Sequence, residues 1–416
     1  MVEYLSRAEN IVNRIEELSA FSEDENGVSR FFGTKSFIEC GKKIFSWMET
    51  AGLETTTDKI GNIRGRLLST NANAKTFVIA SHFDSETKAG KFDGPIGILV
   101  GLEIADYLVS KKIKLPYNIE IIAFSAEKGA RFHSKYLAGK AVAGSFSSKL
   151  LDINDEEGNS LSDVLASMNL DLENLDSKDI AGERWLGYFE IDIEGGPVLY
   201  EKNIAVGVIK TISGEKKIKI DFAGETGEAG TFPMNMRRDA LCAAAQFILE
   251  VEEYASREKR HLIATVGEIS VPESSPDLIP GKVSCTLSMR SSANALLSEA
   301  YEDINKICED ICDKRGIYFE WKLLHDTEAV DCDEGLISYL ADAVKAKNIE
   351  LAELVSGRGH TAEVISKVAP VAILVVKCFK GISNNPMENV KVDDIAAALE
   401  VSTHFVQNLG KFKRKR

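Results

Sequence analysis

The spacing of apolar residues in the first half of the chain predicts strands and helices in alternation. Residues 77–81 (FVIAS) and 119–125 (IEIIAFS) are short apolar runs of the kind that form buried strands. Between them, residues 95–112 have the composition of a helix that begins after Asp93 and Gly94. A strand, a helix and a second strand in this order predict a βαβ unit, and such units build parallel sheets with helices on their faces.

The spacing of apolar residues changes in the second half of the chain. Residues 217–224, 283–290 and 317–323 alternate between apolar and polar side chains, which is typical of half-buried antiparallel strands. Two long stretches with helical spacing, residues 238–257 and 292–314, lie among these strands. This region therefore predicts a compact α+β unit in which two helices cover one face of an antiparallel sheet.

The first pattern then returns, with a helix predicted at residues 335–347 and a strand at residues 372–377. The predicted fold class is α/β: a mostly parallel-sheet catalytic domain with helices on both faces is interrupted by an inserted α+β domain. The predicted boundaries are residues 1–208 and 326–416 for the catalytic domain and residues 209–325 for the inserted domain.

Composition and charge exclude several classes of function. The 416 residues are 44% hydrophobic and 27% charged, as in an ordinary globular protein, and the formal net charge is −14. Such an acidic field repels nucleic acid and anionic membranes. No apolar run reaches the length of about 18 residues that spans a bilayer, and the first residues lack the apolar block of a signal peptide. We therefore expect a cytoplasmic protein that binds neither nucleic acid nor membrane.

Polar and titratable residues are concentrated in short segments beside predicted strands. In parallel sheets the chemistry collects at the carboxyl ends of the strands, and His82 and Glu127 directly follow or nearly follow two such ends. The segments are SHFDSETKAGKFDG (81–94), SAEKGARF (125–132), FEIDIEGGPVL (189–199), GEAGTFPMNMRRDAL (227–241), SGRGHTAEV (356–364) and GISNNPMENV (381–390).

The order and spacing of these segments resemble those of the zinc-dependent amidase/hydantoinase/carbamoylase family. The strings SHxD…FDG, IExGPVL and TFPM…RRDAL are specific, and the resemblance extends over nearly the whole chain. The family includes allantoate amidohydrolases, N-carbamoyl-L-amino-acid hydrolases and β-alanine synthases. The resemblance implies two metal ions that share a bridging carboxylate, a glutamate that deprotonates the attacking water, and a homodimer formed through the inserted dimerisation and lid domain, residues 209–325.

The resemblance implies that one of the family's two metal sites is retained in this chain. His82 matches the imidazole ligand and Asp93 the bridging carboxylate, while Asp192 stands where carbamoylases have a histidine and related peptidases a carboxylate. These ligand types can hold Zn or Mn. Asp84 matches the carboxylate that orients the ligand imidazole, and Glu127 matches the general base.

The second metal site of the family is not retained in this chain, because two of its ligands are replaced. Lys128 replaces a glutamate ligand and Asn384 replaces a histidine ligand. An ammonium cannot ligate a cation, and an amide is a poor substitute for imidazole. We infer that the Lys128 ammonium neutralises Asp93, and we expect at most one Zn or Mn per chain rather than a dinuclear centre. In the alternative, Lys128 and Asp192 form a buried ion pair and the site is metal-free.

The residues that match the family's substrate contacts are also changed. Glu228 replaces a histidine that stabilises the oxyanion, and Gly195 and Asp277 replace amide side chains that hold the substrate carboxylate. Arg290 matches a retained substrate anchor, with a structural ion pair at a strand end as its alternative role, and His360 matches a histidine that contacts the substrate. The added acidic residues predict a substrate with an amine or guanidine rather than an ordinary N-carbamoyl amino acid.

The sequence thus predicts an enzyme that acts on an amide, ureido or amidine C–N bond of a small, polar, amino-acid-like substrate. Glu127 acts as the general base, and Lys128 gives electrostatic support. Two alternatives stay open: a metal-free relative with non-hydrolytic C–N chemistry, and a catalytically silent paralogue that binds a small molecule or regulates an active relative.

Overall fold

The computed structural model describes residues 2–170, 185–257 and 261–411. Contacts between Cα atoms divide the chain into two compact units. The first unit contains Met1–Lys210, Cys332–Ser356 and His360–Arg416, and the second contains Thr211–Asp331 and Gly357–Gly359.

The regular elements are numbered in chain order. The α-helices are α1 (Val2–Ser19), α2 (Lys35–Thr50), α3 (Pro95–Ser110), α4 (Leu137–Val142), α5 (Leu161–Ser167), α6 (Val198–Lys202), α7 (Ala240–Ser256), α8 (Asn294–Arg315), α9 (Glu334–Ala346), α10 (Ala362–Ile365) and α11 (Val392–Asn408). The strands are β1 (Glu54–Thr57), β2 (Ile63–Leu67), β3 (Thr76–His82), β4 (Asn118–Phe124), β5 (Trp185–Ile193), β6 (Val206–Ile212), β7 (Gly214–Ala223), β8 (Gly227–Glu228), β9 (Leu262–Ser270), β10 (Leu278–Ile279), β11 (Lys282–Ser291), β12 (Tyr318–Thr327), β13 (Val330–Asp331), β14 (Ala352–Ser356) and β15 (Val371–Val376). Short 3-10 helices cover Ser148–Asp152, Met234–Met236, Phe379–Gly381 and Leu409–Lys411.

The first unit is built on one large sheet with the strand order β1-β2-β4-β3-β5-β15-β6, and β14 pairs with β6. Its central strands β4, β3, β5 and β15 are parallel to their neighbours within this group, whereas β1, β2 and β6 pair antiparallel. All nine residues of β5 are buried. Because successive side chains of a strand point to opposite faces, both faces of the sheet are covered at β5. This confirms the predicted mostly parallel α/β fold.

The second unit is an antiparallel sheet with the strand order β12-β7-β11-β9. Apolar side chains of this sheet form a core with α7 and α8, in which Ile220, Phe247, Leu287 and Ile304 are fully buried. Within the same unit, β8 pairs with β10, and β13 pairs with the end of β6. The alternating pattern of the sequence therefore predicted the architecture of this unit correctly, although β9 was missed.

Within the described ranges, no helix combines the length and the apolar composition that crossing a bilayer requires.

Candidate functional site

The residues of the candidate site lie at the carboxyl ends of three neighbouring strands in the first unit. His82 is the last residue of β3, and Glu127 and Lys128 follow β4. Asp192 lies near the end of β5, and Asp93 lies just before α3. Because β3 pairs in parallel with both β4 and β5, all three strand ends meet at one edge of the sheet. The strand order thus brings together residues that are far apart in the sequence.

A sharp turn between Asp93 and α3 closes around the imidazole of His82. Gly94 has a φ of +89°, and a Cβ atom at this position would collide with the carbonyl oxygen and the ring of His82. The amide of Gly94 also donates a hydrogen bond to Oδ1 of Asp192 at 3.4 Å. Only glycine satisfies both the backbone conformation and the close approach at this turn.

His82, Asp93 and Asp192 could hold one metal ion. All three are buried, and each offers a ligand atom within 4.8 Å of the others. Nδ1 of His82 lies 2.9 Å from the carbonyl oxygen of Asp84, which can only accept, so Nδ1 carries a proton and Nε2 is the nitrogen that can serve as a metal ligand. Nε2 lies 3.4 Å from Oδ1 of Asp93. Neighbouring ligand atoms of a tetrahedral zinc ion, with bonds of about 2.0–2.2 Å, are separated by about 3.3–3.5 Å, so His82 and Asp93 have the separation of two ligands of one ion.

Lys128 forms an ion pair with the other oxygen of the same aspartate. Its Nζ lies 2.9 Å from Oδ2 of Asp93, and the side chain of Lys128 is only 17% exposed. The carboxylate of Asp93 therefore lies between the imidazole of His82 and the ammonium of Lys128. The ion pair in the structure is not the Lys128–Asp192 pair considered as an alternative from the sequence.

The carboxylate of Asp84 fixes the backbone that carries Glu127 and Lys128. Its Oδ2 accepts hydrogen bonds from the amides of both residues at 2.9 Å. The hydrogen bond to the imidazole of His82 comes instead from the backbone carbonyl of Asp84, because the carboxylate oxygen is 3.6 Å from Nδ1. Burial raises the pKa of Asp84, and the hydrogen bonds from the amides of Lys128 and Glu127 oppose this shift. Asp84 thus joins the β3 and β4 ends of the site.

Glu127 is buried beside this cluster and has a raised pKa. The amide of Gly139 donates to Oε1 at 2.8 Å, and the hydroxyl of Thr361 donates to Oε2 at 2.5 Å. Burial raises the pKa of Glu127 to about 8, against the opposing effect of the Thr361 hydrogen bond. A carboxyl group with such a pKa can both take up and release a proton near neutral pH.

His360 is held by a glutamate that the sequence analysis missed. Nδ1 of His360 lies 2.9 Å from Oε1 of Glu190, and Nε2 lies 2.8 Å from the hydroxyl of Ser356. Burial opposes ionisation of Glu190, but its interactions with His360 and its hydrogen bonds from the Ala362 amide and the Tyr188 hydroxyl together outweigh this effect and lower the pKa of Glu190. Glu190 precedes Asp192 by two residues in β5 and so lies on the same face of the strand, which is the signal that could have identified it.

Glu190, Asp192 and His360 also offer ligand atoms within 4.8 Å of one another. Because Glu190 and His360 already bond directly to each other, we assign the candidate ion to the group of His82, Asp93 and Asp192.

Three of the candidate substrate residues lie in the second unit, and Gly195 lies in the first. Arg290 donates to Oε1 of the buried Glu215 at 2.7 Å and also to the carbonyl of Gly357. Glu228 and Asp277 are exposed and lie at the paired strands β8 and β10. Gly195 follows β5 with a φ of +61°. In its own unit, Arg290 therefore makes an ion pair at a strand end.

Comparison with known proteins gives one consistent family. Residues 71–408 match the model of peptidase family M20/M25/M40. Allantoate deiminase 2 of Glycine max is 35% identical, over 96% of this chain and 89% of that protein. An N-carbamoyl-L-amino-acid amidohydrolase of Pseudomonas sp. (strain NS671) is 30% identical, over 93% of this chain and 94% of that protein. The crystal structure of an amidase of the hydantoinase/carbamoylase family from Burkholderia multivorans has a TM-score of 0.89 and 28% identity, and the match covers 96% of this chain and 97% of that one.

Proposed function

This chain belongs to peptidase family M20/M25/M40 and to its amidase/hydantoinase/carbamoylase group, and from this membership we propose that it is a C–N amidohydrolase with one metal ion per chain. The relatives named above are enzymes that act on allantoate or on N-carbamoyl amino acids, which favours an enzyme over a silent paralogue. The observation that carries the proposal is the carboxylate of Asp93, which faces Nε2 of His82 with one oxygen and Nζ of Lys128 with the other.

His82, Asp93 and Asp192 would hold the ion, which we propose to be Zn or Mn. When bound, such an ion polarises the substrate carbonyl and lowers the pKa of water. Asp192 is buried at the end of β5 and is fixed by hydrogen bonds from the amides of Ile193 and Gly94. Asp84 holds the imidazole of His82 through its carbonyl, so that Nε2 is presented as a ligand.

Glu127 moves the protons of the reaction. As a base, it takes a proton from the attacking water as the new C–O bond forms. As an acid, it then gives that proton to the leaving nitrogen as the C–N bond breaks. Its pKa of about 8 suits both steps, because neither protonation state is strongly disfavoured near neutral pH. The hydrogen bonds from Gly139 and Thr361 orient the carboxyl group.

Lys128 takes over the electrostatic role of a second ion. Its ammonium neutralises the oxygen of Asp93 that the ion in the first site does not use. A buried carboxylate without such a partner would be strongly disfavoured. Lys128 therefore supports the charge of a mononuclear site, and a dinuclear centre is not required.

The substrate that we propose is a small, polar, amino-acid-like molecule with a cationic group. Glu228, Asp277, Arg290, His360 and Gly195 match the family's substrate contacts in the sequence, and on that match we propose them as candidate contacts, with Glu228 and Asp277 as the acidic ones. The enzyme would act as a homodimer formed through residues 209–325. Its cytoplasmic location stays a prediction from the sequence.

A panel of C–N substrates tests the substrate class. We expect release of ammonia or amine from ureido and amide compounds that carry an amine or guanidine to be about two- to fivefold faster than from neutral N-carbamoyl amino acids, because ion pairs with the exposed Glu228 and Asp277 contribute only about 0.2–1 kcal/mol each. The panel includes allantoate as a reference compound, and product is measured by coupled ammonia assay. Tight binding and fast hydrolysis of simple N-carbamoyl amino acids would contradict the proposed substrate class.

A further inference from the structure

We propose that Glu388 is a positioning residue for the metal site. It acts by holding the backbone amides of Phe92 and Asp93 in place. This inference rests on the proposed function, because it concerns the same ion, but it assigns a role to a loop that the sequence analysis left without one. Glu388 itself is not assigned as a metal ligand. It acts through Asp93, whose carboxylate faces both His82 and Lys128.

The contacts of Glu388 span almost the whole chain. Its Oε1 accepts hydrogen bonds from the amide of Phe92 at 2.7 Å and from the amide of Asp93 at 3.0 Å, across 296 and 295 residues of sequence. The side chain is buried, with 2% of its surface exposed. Hydrogen bonds from amides to a carboxylate are roughly twice as strong as those between neutral groups. One carboxylate oxygen therefore fixes two consecutive amides, one of which belongs to Asp93.

The loop that contains Asp93 is shaped to admit Glu388. A Cβ atom at Gly90 would collide with the Cβ, Cδ and Oε1 atoms of Glu388, so the glutamate fits only because residue 90 has no side chain. The start of the same loop is held by two backbone hydrogen bonds between Val28 and Ala89, each 2.9 Å long. With both ends fixed, Asp93 has little freedom to move away from His82.

This arrangement gives the loop at residues 381–390 a role in the metal site although the loop lacks the family's histidine ligand. In the family that the sequence resembles, the position of Asn384 supplies a ligand to the second ion, and this chain has lost that ligand. Glu388 in the same loop instead orders the first site through the backbone of Asp93. Residues that hold a metal ligand in place typically change metal affinity by about 10- to 100-fold when they are removed.

Zinc affinity tests this role directly. We expect Glu388→Ala to weaken Zn²⁺ binding by about 10- to 100-fold, measured by competition with a chromophoric chelator. Glu388→Gln keeps an oxygen acceptor and a similar shape, so we expect it to retain most of the affinity, with a loss of about threefold. Gly90→Ala is expected to resemble Glu388→Ala, because the added methyl group displaces the carboxylate.

A matched control separates positioning from general stability. Asp239 also accepts hydrogen bonds from two neighbouring amides, those of Leu241 and Cys242, but at the start of α7 in the second unit. We expect Asp239→Ala to lower the thermal unfolding temperature without changing Zn²⁺ affinity. If Glu388→Ala binds Zn²⁺ as tightly as the wild type while His82→Ala does not, the role of Glu388 is wrong and the metal site stands. If the wild type itself binds neither Zn²⁺ nor Mn²⁺, both proposals fail.

Discussion

Replacing Glu127 with glutamine is expected to reduce turnover by about 10³-fold while the protein stays folded and keeps its metal ion. Glutamine has the same shape and its amide oxygen can still accept a hydrogen bond, but it cannot take up a proton. General bases contribute about 10²- to 10⁴-fold to rates, and Glu127 is the only residue to which we assign this role. Because burial disfavours the charged form of Glu127, we expect the neutral glutamine to leave the thermal unfolding temperature unchanged or higher.

The measurement compares product release, metal content and thermal unfolding between the two proteins. In the wild type, the rate should rise with pH up to about 8, because Glu127 must lose its proton before it can act as a base. Equal turnover in both proteins would show that the base lies elsewhere. Ligand binding without turnover in either protein would instead favour the silent paralogue.

The combined substitution of Lys128→Glu and Asn384→His is expected to raise the metal content from one to two ions per chain. Glutamate replaces an ammonium that now contacts Asp93 at 2.9 Å, and histidine restores an imidazole ligand. Two buried carboxylates in contact repel each other unless a cation lies between them, so the variant site favours a second ion.

Lys128→Met is the matched control for this variant. Methionine is similar in length to lysine but carries no charge and leaves Asp93 without its ammonium partner. We expect this variant to bind no more than one ion and to be less stable than the wild type when metal-free, because breaking a buried ion pair is destabilising. Elemental analysis and thermal unfolding check both expectations. A single ion in the combined variant, with the fold intact, would mean that Lys128 does not occupy the position of a second ion.

Local apolar patterns predicted the fold of both units. The sequence predicted β3, α3 and β4 in the correct order from their apolar runs. It also predicted β7, β11 and β12 from their alternating apolar and polar residues. The strand β5 was recognised only as a motif, although all of its side chains are buried. Sequence alone also could not give the order β4-β3-β5, which depends on how buried surfaces pack. That order is what brings Asp192 to His82.

Sequence motifs predicted the candidate metal ligands, but they did not predict which side chains contact one another in the site. For Lys128, the sequence offered both Asp93 and Asp192 as partners, and only the geometry selects Asp93. Glu190 contacts His360 across 170 residues, and Glu388 contacts Asp93 across 295. Such pairs leave no periodic trace in the sequence, because the two residues meet only after the strands and loops between them have packed.

The metal content of the wild-type protein tests the central claim most directly. The protein is purified without chelator, its Zn and Mn are measured per chain by elemental mass spectrometry, and His82→Ala serves as the control. A mononuclear site predicts about one ion per chain, lost in the control, because only His82, Asp93 and Asp192 are assigned as ligands. Two ions per chain, or none even after reconstitution with Zn²⁺ or Mn²⁺, would contradict a mononuclear site supported by Lys128.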